Sequence, residues 1–208
     1  MDQYQQQPVP LEGNLIRRDW FMRYDNIPAS HHRRIVMSWD ISTTTGNTSD
    51  YSVCTVWEID GRNYYLRHVF RQRLAYPDLR RKIVAMAQEF AATTLLIEDA
   101  GPGSNLLEDL RCDPSLCIPG PIGIKPEGSK IDRMAAQSAR IEAGQVHIPN
   151  DAPWLAVFLN EMLAFPGGKH DDQVDSVSQF VLWAQRSTQY QDVQLGMPIQ
   201  VGQTALWR

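Results

Sequence analysis

IVMSWDIS, residues 35–42, is the stretch on which the reading of this chain turns. Its apolar run with β-branched residues reads as a buried strand, and a carboxylate, Asp40, stands near its end. Beyond the polar stretch STTTGNTSD (42–50) come YSVCTVWEI (51–59) and NYYLRHVF (63–70), two alternating β-rich runs joined at Asp60-Gly61, a strong hairpin signal. Three consecutive antiparallel strands are expected.

Further on, Pro77 opens a segment with apolar positions at Leu79, Ile83, Val84, Met86, Ala87 and Phe90, the spacing of a helix with proline in its first turn. TTLLIEDA (93–100) reads as a short buried strand ending in two acids, and GPGSNLLEDL (101–110) as a turn followed by a helix capped by Ser104. PIGIK (121–125) gives a fifth strand, and SKIDRMAAQSARIEAG (129–144) a helix closed at Gly144. Two more helices, WLAVFLNEMLAF (154–165) and DQVDSVSQFVLWAQ (172–185), flank PGGKH. This order predicts an α/β fold, a mixed five-stranded sheet with helices on both faces, and matches a ribonuclease H-like fold. Residues 1–30 read as a linker-like segment, 31–186 as the domain, and 187–208, rich in Gln and Gly, as a disordered tail.

Composition sets the outer limits. The chain has 208 residues, 43% hydrophobic and 21% charged, enough for one sizeable core. No apolar run approaches the ~18 residues of a membrane span and MDQYQQQPVP lacks the pattern of a signal peptide, so a soluble, cytosolic protein is expected. Cys54, Cys112 and Cys117 form no CxxC pair and read as small buried side chains. The net charge of −4 conceals an asymmetry: Arg62, Arg67, Arg71, Arg73, Arg80, Arg81 and Lys82 face a single acid, Asp78, between residues 62 and 82. Such a cluster fits a phosphate-binding surface or an ordinary solvated face.

Acids mark three places where the chain changes direction. They are Asp40, the pair Glu98 and Asp99, and the group Asp171, Asp172 and Asp175 opening the last helix. Each alone has a plainer reading, as a turn residue, a solvated strand end or an acidic first helical turn. Charge beside apolar segments is costly without compensation, and three such placements together point to a metal site. In a ribonuclease H-like sheet Asp40 and Glu98 sit on neighbouring strands, while Asp171 and Asp172 each share a helix face with Asp175. Hard oxygen donors without a Cys/His cluster suit two Mg²⁺ or Mn²⁺ ions about 3.5–4 Å apart, the arrangement that hydrolyses phosphodiesters. Asp40, Glu98 and Asp172 are the candidate catalytic residues, with Asp40 bridging, Glu98 on one ion, and Asp172 with Asp175 on the other.

The motifs WDIS around Asp40, LIEDAGPG around Glu98 and Asp99, and KHDDQVDS around Asp171, Asp172 and Asp175 make the chain resemble the carboxy-terminal nuclease domain of tailed-phage large terminase subunits. KPEGSKIDRMAAQSARIEAGQVHIP (125–149) resembles that family's basic helix, turn and short strand ending in Pro, and LEGNLIRRDWFMRYD (11–25) the stretch leaving its ATPase domain. The resemblance runs from about Gly13 to Trp183. It implies an endonuclease cutting concatemeric double-stranded DNA in the host cytoplasm during genome packaging. It also implies a terminase ATPase domain or chain, a small terminase subunit and a portal as partners. GIKPEGSK (123–130) is only a near miss to a phosphate-binding loop, which leaves translocation to be expected elsewhere.

Lys125, Lys130, Arg133 and Arg140 lie on or near the helix before Gly144 and are candidate phosphate contacts, or the exposed side of an amphipathic helix. His170 could position a water or a phosphate or be a loop residue, and His31 and His32 carry no metal-ligand signal. Two competing readings stay open: another ribonuclease H-like nuclease, such as a resolvase or transposase core, and a non-catalytic DNA-binding packaging module.

Overall fold

In the computed structural model, residues 15–29, 33–42 and 51–194 are described. In chain order the strands are β1 (Met22–Tyr24), β2 (Arg34–Asp40), β3 (Ser52–Asp60), β4 (Asn63–Gln72), β5 (Thr94–Glu98), β6 (Ile122–Ile124) and β7 (Val146–Pro149). The helices are α1 (Tyr76–Glu89), α2 (Pro102–Arg111), α3 (Lys130–Glu142), α4 (Leu155–Ala164) and α5 (Asp172–Gln194).

The strands form one mixed sheet in the order β1-β7-β4-β3-β2-β5-β6. β2, β3 and β4 are antiparallel, as the hairpin signal requires, with Gly61 supplying a positive φ of 58° in the turn. β5 and β6 add in parallel beyond β2, and β7 and β1 in parallel beyond β4. Among the described residues the sheet therefore has seven strands rather than five. β7 had entered only through the resemblance, and β1 is three residues long, too short to show a period in the sequence.

Period-two alternation divides the sheet into two buried faces. Met37, Trp39, Cys54, Val56, Leu95 and Ile97 pack with α1 and α2. Val36, Trp57, Leu66 and Leu96 pack with α3, α4 and α5. Helices on both faces follow directly. On the second face α5 is also locked by polar groups: Ser38 Oγ donates to the Ser176 carbonyl and Ser176 Oγ to the Ser38 carbonyl, both at 2.8 Å. Thr55 Oγ1 lies 2.7 Å from Ser176 Oγ and accepts from Trp57 Nε1, while the Trp57 ring stacks on Phe180 at 4.4 Å. Every one of these buried polar groups is paired, so the network fixes the register of α5 on the sheet.

Several local expectations change. Ile16 and Phe21 are buried in the core beside β1, so the segment read as linker-like contributes to the domain. At the other end α5 continues past Ser187 to Gln194, because its Gln-rich last turns still favour helix. Residues 195–208, His31, His32 and residues 43–50 of the polar stretch lie outside the described residues. Ser104 is inside α2, whose N-cap is Gly101. Cys54 is buried as expected, but Cys112 and Cys117 are exposed around a surface turn after α2.

Candidate metal centre

Strand register builds the site. β2 and β5 pair Trp39 with Ile97, which sets Asp40 beside Glu98 one residue further on. Asp40 also pairs with Val53 of β3, and Val53 with Arg71 of β4. One row, Glu98, Asp40, Val53, Arg71, thus crosses four strands. By parity with Leu96, Val36 and Trp57, the row faces α5.

Arg71 reaches this face through a bulge. Pairing between β3 and β4 steps from Val56↔His68 to Trp57↔Leu66, leaving Arg67 as the extra residue. Before it the even positions Tyr64 and Leu66 face α5, and after it Val69 does. The shift re-aims Arg71 towards the acids, a common use of bulges near functional sites.

α5 brings the remaining carboxylates. Asp171 accepts the first intrahelical bond, from the Asp175 amide at 3.0 Å, and its side chain stays partly exposed. Asp172 and Asp175, three apart, turn inward and are 6% and 4% exposed. The consequence is a crowded negative pocket: burial pushes the Asp40 carboxyl well above its ordinary range, and Glu98, Asp175 and Asp172 push it further. Glu98 is raised by burial and by Asp175, with Arg133 and Lys130 pulling the other way.

Two cations of α3 hold the outer side. Lys130 Nζ lies 2.7 Å from Asp171 Oδ1 and 2.6 Å from Asp175 Oδ2, and Arg133 Nη2 lies 2.5 Å from Asp175 Oδ1. Burial alone would lower the Lys130 ammonium, but its bonds to Asp171 and Asp175 outweigh that and raise it. Among the described residues, no three His, Cys, Asp or Glu side chains are drawn together tightly enough to hold an ion as they stand. The donor chemistry nevertheless fits a hard divalent cation, since Asp40, Glu98, Asp172 and Asp175 supply only carboxylate oxygens.

The other sequence candidates separate clearly. Asp99 has the parity of Ile97 and faces α2, where its Oδ1 accepts from Ser104 Oγ at 2.8 Å. Lys125 and Arg133 line a cleft of about 200 Å³ that also touches Glu98, Asp175 and Arg186. Arg140, at the far end of α3, donates to Gln145 Oε1 at 3.1 Å and lies away from the acids. His170 sets its ring against Tyr51, centroids 5.5 Å apart. The basic run from 62 to 82 disperses into ion pairs: Arg67 with Glu58, Arg80 with Asp109 and Asp113, Arg81 with Asp78.

Sequence reasoning missed two residues of the site. Arg71 ion-pairs with Glu161 Oε2 at 3.6 Å and with Asp172 Oδ2 at 3.9 Å, and Glu161 is a buried acid on α4. Glu161 carried a signal, being the one charge within WLAVFLNEMLAF. A charge on an otherwise apolar helix is seldom buried without a partner.

A search of curated proteins finds no match. The large terminase nuclease of thermophilic phage G20c, solved with bound cobalt, superposes with a TM-score of 0.63 at 17% identity, over 83% of this chain and 98% of that one. The same nuclease has been solved with magnesium and with zinc. The large terminase nuclease domain of Thermus phage P74-26 gives 0.56 at 16% identity, over 77% of this chain and 90% of that one. Against a longer large terminase from another thermophilic bacteriophage the TM-score is 0.57 at 12% identity, covering 81% of this chain and 44% of that one. These likenesses show that the chain shares the fold of the large terminase nucleases. The family model described as the terminase RNaseH-like domain matches residues 37–183, from within β2 to the middle of α5, and the chain belongs to that family.

Proposed function

We propose that this domain is a divalent-metal-dependent endodeoxyribonuclease that cuts double-stranded, concatemeric viral DNA during genome packaging. The observation that carries the reading is the convergence of Asp40, Glu98, Asp172 and Asp175, from two neighbouring strands and one helix, into a pocket where each raises the cost of ionising Asp40. An apolar fold that tolerates such repulsion is well explained by a cation that relieves it.

Asp40, central in the acidic row, would hold Mg²⁺ or Mn²⁺ together with Glu98, Asp172 and Asp175, with two ions the arrangement that suits phosphodiester hydrolysis. Bound there, the ions would activate a water and neutralise the oxygens of the scissile phosphate. The protein supplies the rest. β2 and β5 hold the first two carboxylates on rigid strand ends, and the Ser38–Ser176–Thr55 network fixes α5 so that Asp172 and Asp175 keep their position. Lys125, Lys130 and Arg133 border the acids and are the cations a DNA phosphate would meet there, with Arg140 further along α3. Asp99 supports this centre indirectly, by tying the end of β5 to α2. A terminase ATPase domain or chain, a small terminase subunit and a portal are the partners we propose, a reading that family membership supports; this chain spans less than half of the longer terminase it matches.

The test is direct. Supercoiled plasmid incubated with the protein and Mn²⁺ or Mg²⁺ is expected to be nicked and linearised, and chelator or Asp40→Ala should stop this. A binding module would retard the plasmid without cutting it, and cleavage indifferent to chelator would reject the proposal.

A further inference from the structure

Glu161 is buried on α4 and makes contacts that no solvated acid would make. Its Oε1 accepts from the backbone N–H of Gln173, and its Oε2 from Gln173 Nε2, both at 2.6 Å. Gln173 is the second residue of α5, where backbone N–H groups have no partner within the helix. A carboxylate from a neighbouring helix therefore caps α5 at the turn that carries Asp172, and the helix dipole favours its charge there.

A buried carboxylate also needs a cation, and Arg71 ion-pairs with it. The guanidinium carbon lies 3.6 Å from the centroid of the Tyr51 ring, which Arg73 also approaches at 4.0 Å, and the group stands between two acids: Glu161 at 3.6 Å and Asp172 at 3.9 Å. A single positive charge is shared by two carboxylates, one of them a candidate metal ligand.

We propose that Glu161 and Arg71 form a positioning pair for Asp172. Glu161 fastens the first turn of α5 and balances Arg71, so that the guanidinium orients the Asp172 carboxylate without neutralising it for a metal ion. The inference rests on the metal-centre reading given above. Its consequence is specific: with Glu161 neutral, the charge of Arg71 falls on Asp172 alone and competes with the ion.

The experiment measures Mn²⁺ affinity of the full chain by electron paramagnetic resonance, with near-ultraviolet circular dichroism to verify folding. Glu161→Gln, which keeps an acceptor for the Gln173 amide, is expected to weaken Mn²⁺ binding about tenfold, since unit charges this close interact strongly even when screened. Adding Arg71→Met, which retains the packing stem, should return the affinity to within about threefold of wild type, as coupled residues do in a double-mutant cycle. Unchanged affinity in Glu161→Gln overturns the inference. Equal weakening in the single and double variants does so too, since it reduces Glu161 to a structural cap. Should Glu161→Gln fail to fold, amide exchange in the wild type decides: a Gln173 amide exchanging at the unprotected rate overturns the capping, and a protected one supports it. Wild type that binds no Mn²⁺ would instead reject the metal centre itself, and this pair's role with it.

Discussion

Asp40 and Glu98 end neighbouring parallel strands one residue beyond the pair Trp39↔Ile97, on the face of the sheet that α5 covers. Strand spacing puts their backbones about 4.8 Å apart, close enough for each charge to feel the other strongly. Repulsion of this kind is a property of the metal-free protein, and it can be measured.

In chelator, Asp40→Asn should melt above wild type, because the amide removes one charge from a pocket in which burial and three acids already disfavour it. A gain of about 1 kcal/mol corresponds to roughly 2–4 °C for a domain of this size. In millimolar Mn²⁺ the order should reverse, since a ligand that binds only the folded state adds roughly 2.7 kcal/mol at a hundredfold excess over Kd. Scanning fluorimetry under both conditions checks this. An Asp40→Asn variant less stable than wild type in chelator would mean that the carboxylate is compensated within the protein.

Glu98 and Asp99 should part company on substitution. Glu98→Gln is expected to abolish metal-dependent cleavage. Asp99→Asn should keep most of it and lose about 1 kcal/mol of stability through its weakened bond to Ser104, a typical value for one hydrogen bond. Plasmid cleavage and urea denaturation of the two variants give the answer. Loss of cleavage in Asp99→Asn alone would exchange their roles.

Neutralising Lys130 and Arg133 together leaves Asp175, 4% exposed, without its two cations. The expected cost in chelator is roughly 1–3 kcal/mol, reduced from the value for fully buried pairs because Lys130 is nearly half exposed. The same variant should bind unrelated duplexes about equally more weakly and with a flatter salt dependence, as loss of phosphate contacts requires. Fluorescence polarisation across a salt series tests it; an altered sequence preference with the slope preserved would mean that these residues read bases.

Gly103→Ala should destabilise the fold by roughly 1–3 kcal/mol, the usual cost of overpacking. A Cβ at Gly103 would collide with the carbonyl oxygen of Glu98, so α2 could not approach the end of β5. Because that strand end carries Glu98, cleavage should fall as well. A thermal melt unchanged by the substitution would show that α2 can move away freely.

Much of this was legible in the residues. Five of the seven strands, the hairpin at Asp60-Gly61 and the three acidic positions follow from apolar periodicity and from the cost of charge at the edge of a core. The sequence alone keeps both Glu98 and Asp99 as metal candidates; the structure separates them, turning Glu98 with Leu96 towards α5 and Asp99 with Ile97 towards α2. Arg71 was not legible, because the extra residue at Arg67 reverses the alternation of β4 midway, and nothing in NYYLRHVFRQ marks a bulge. The ion pairs from Lys130 and Arg133 to Asp175 were hidden for another reason. They join residues 45 and 42 positions apart, and helix periodicity reports only which face a side chain is on, not what faces it.

The central claim is that the carboxylates of β2, β5 and α5 hold divalent metal. Anomalous diffraction at the manganese edge, from crystals grown with Mn²⁺, tests it most directly. The account predicts peaks within coordination distance of Asp40, Glu98 and Asp172, with Lys130 withdrawn from Asp175. Manganese found only at other surface acids, with Lys130 still bridging Asp171 and Asp175, would contradict it.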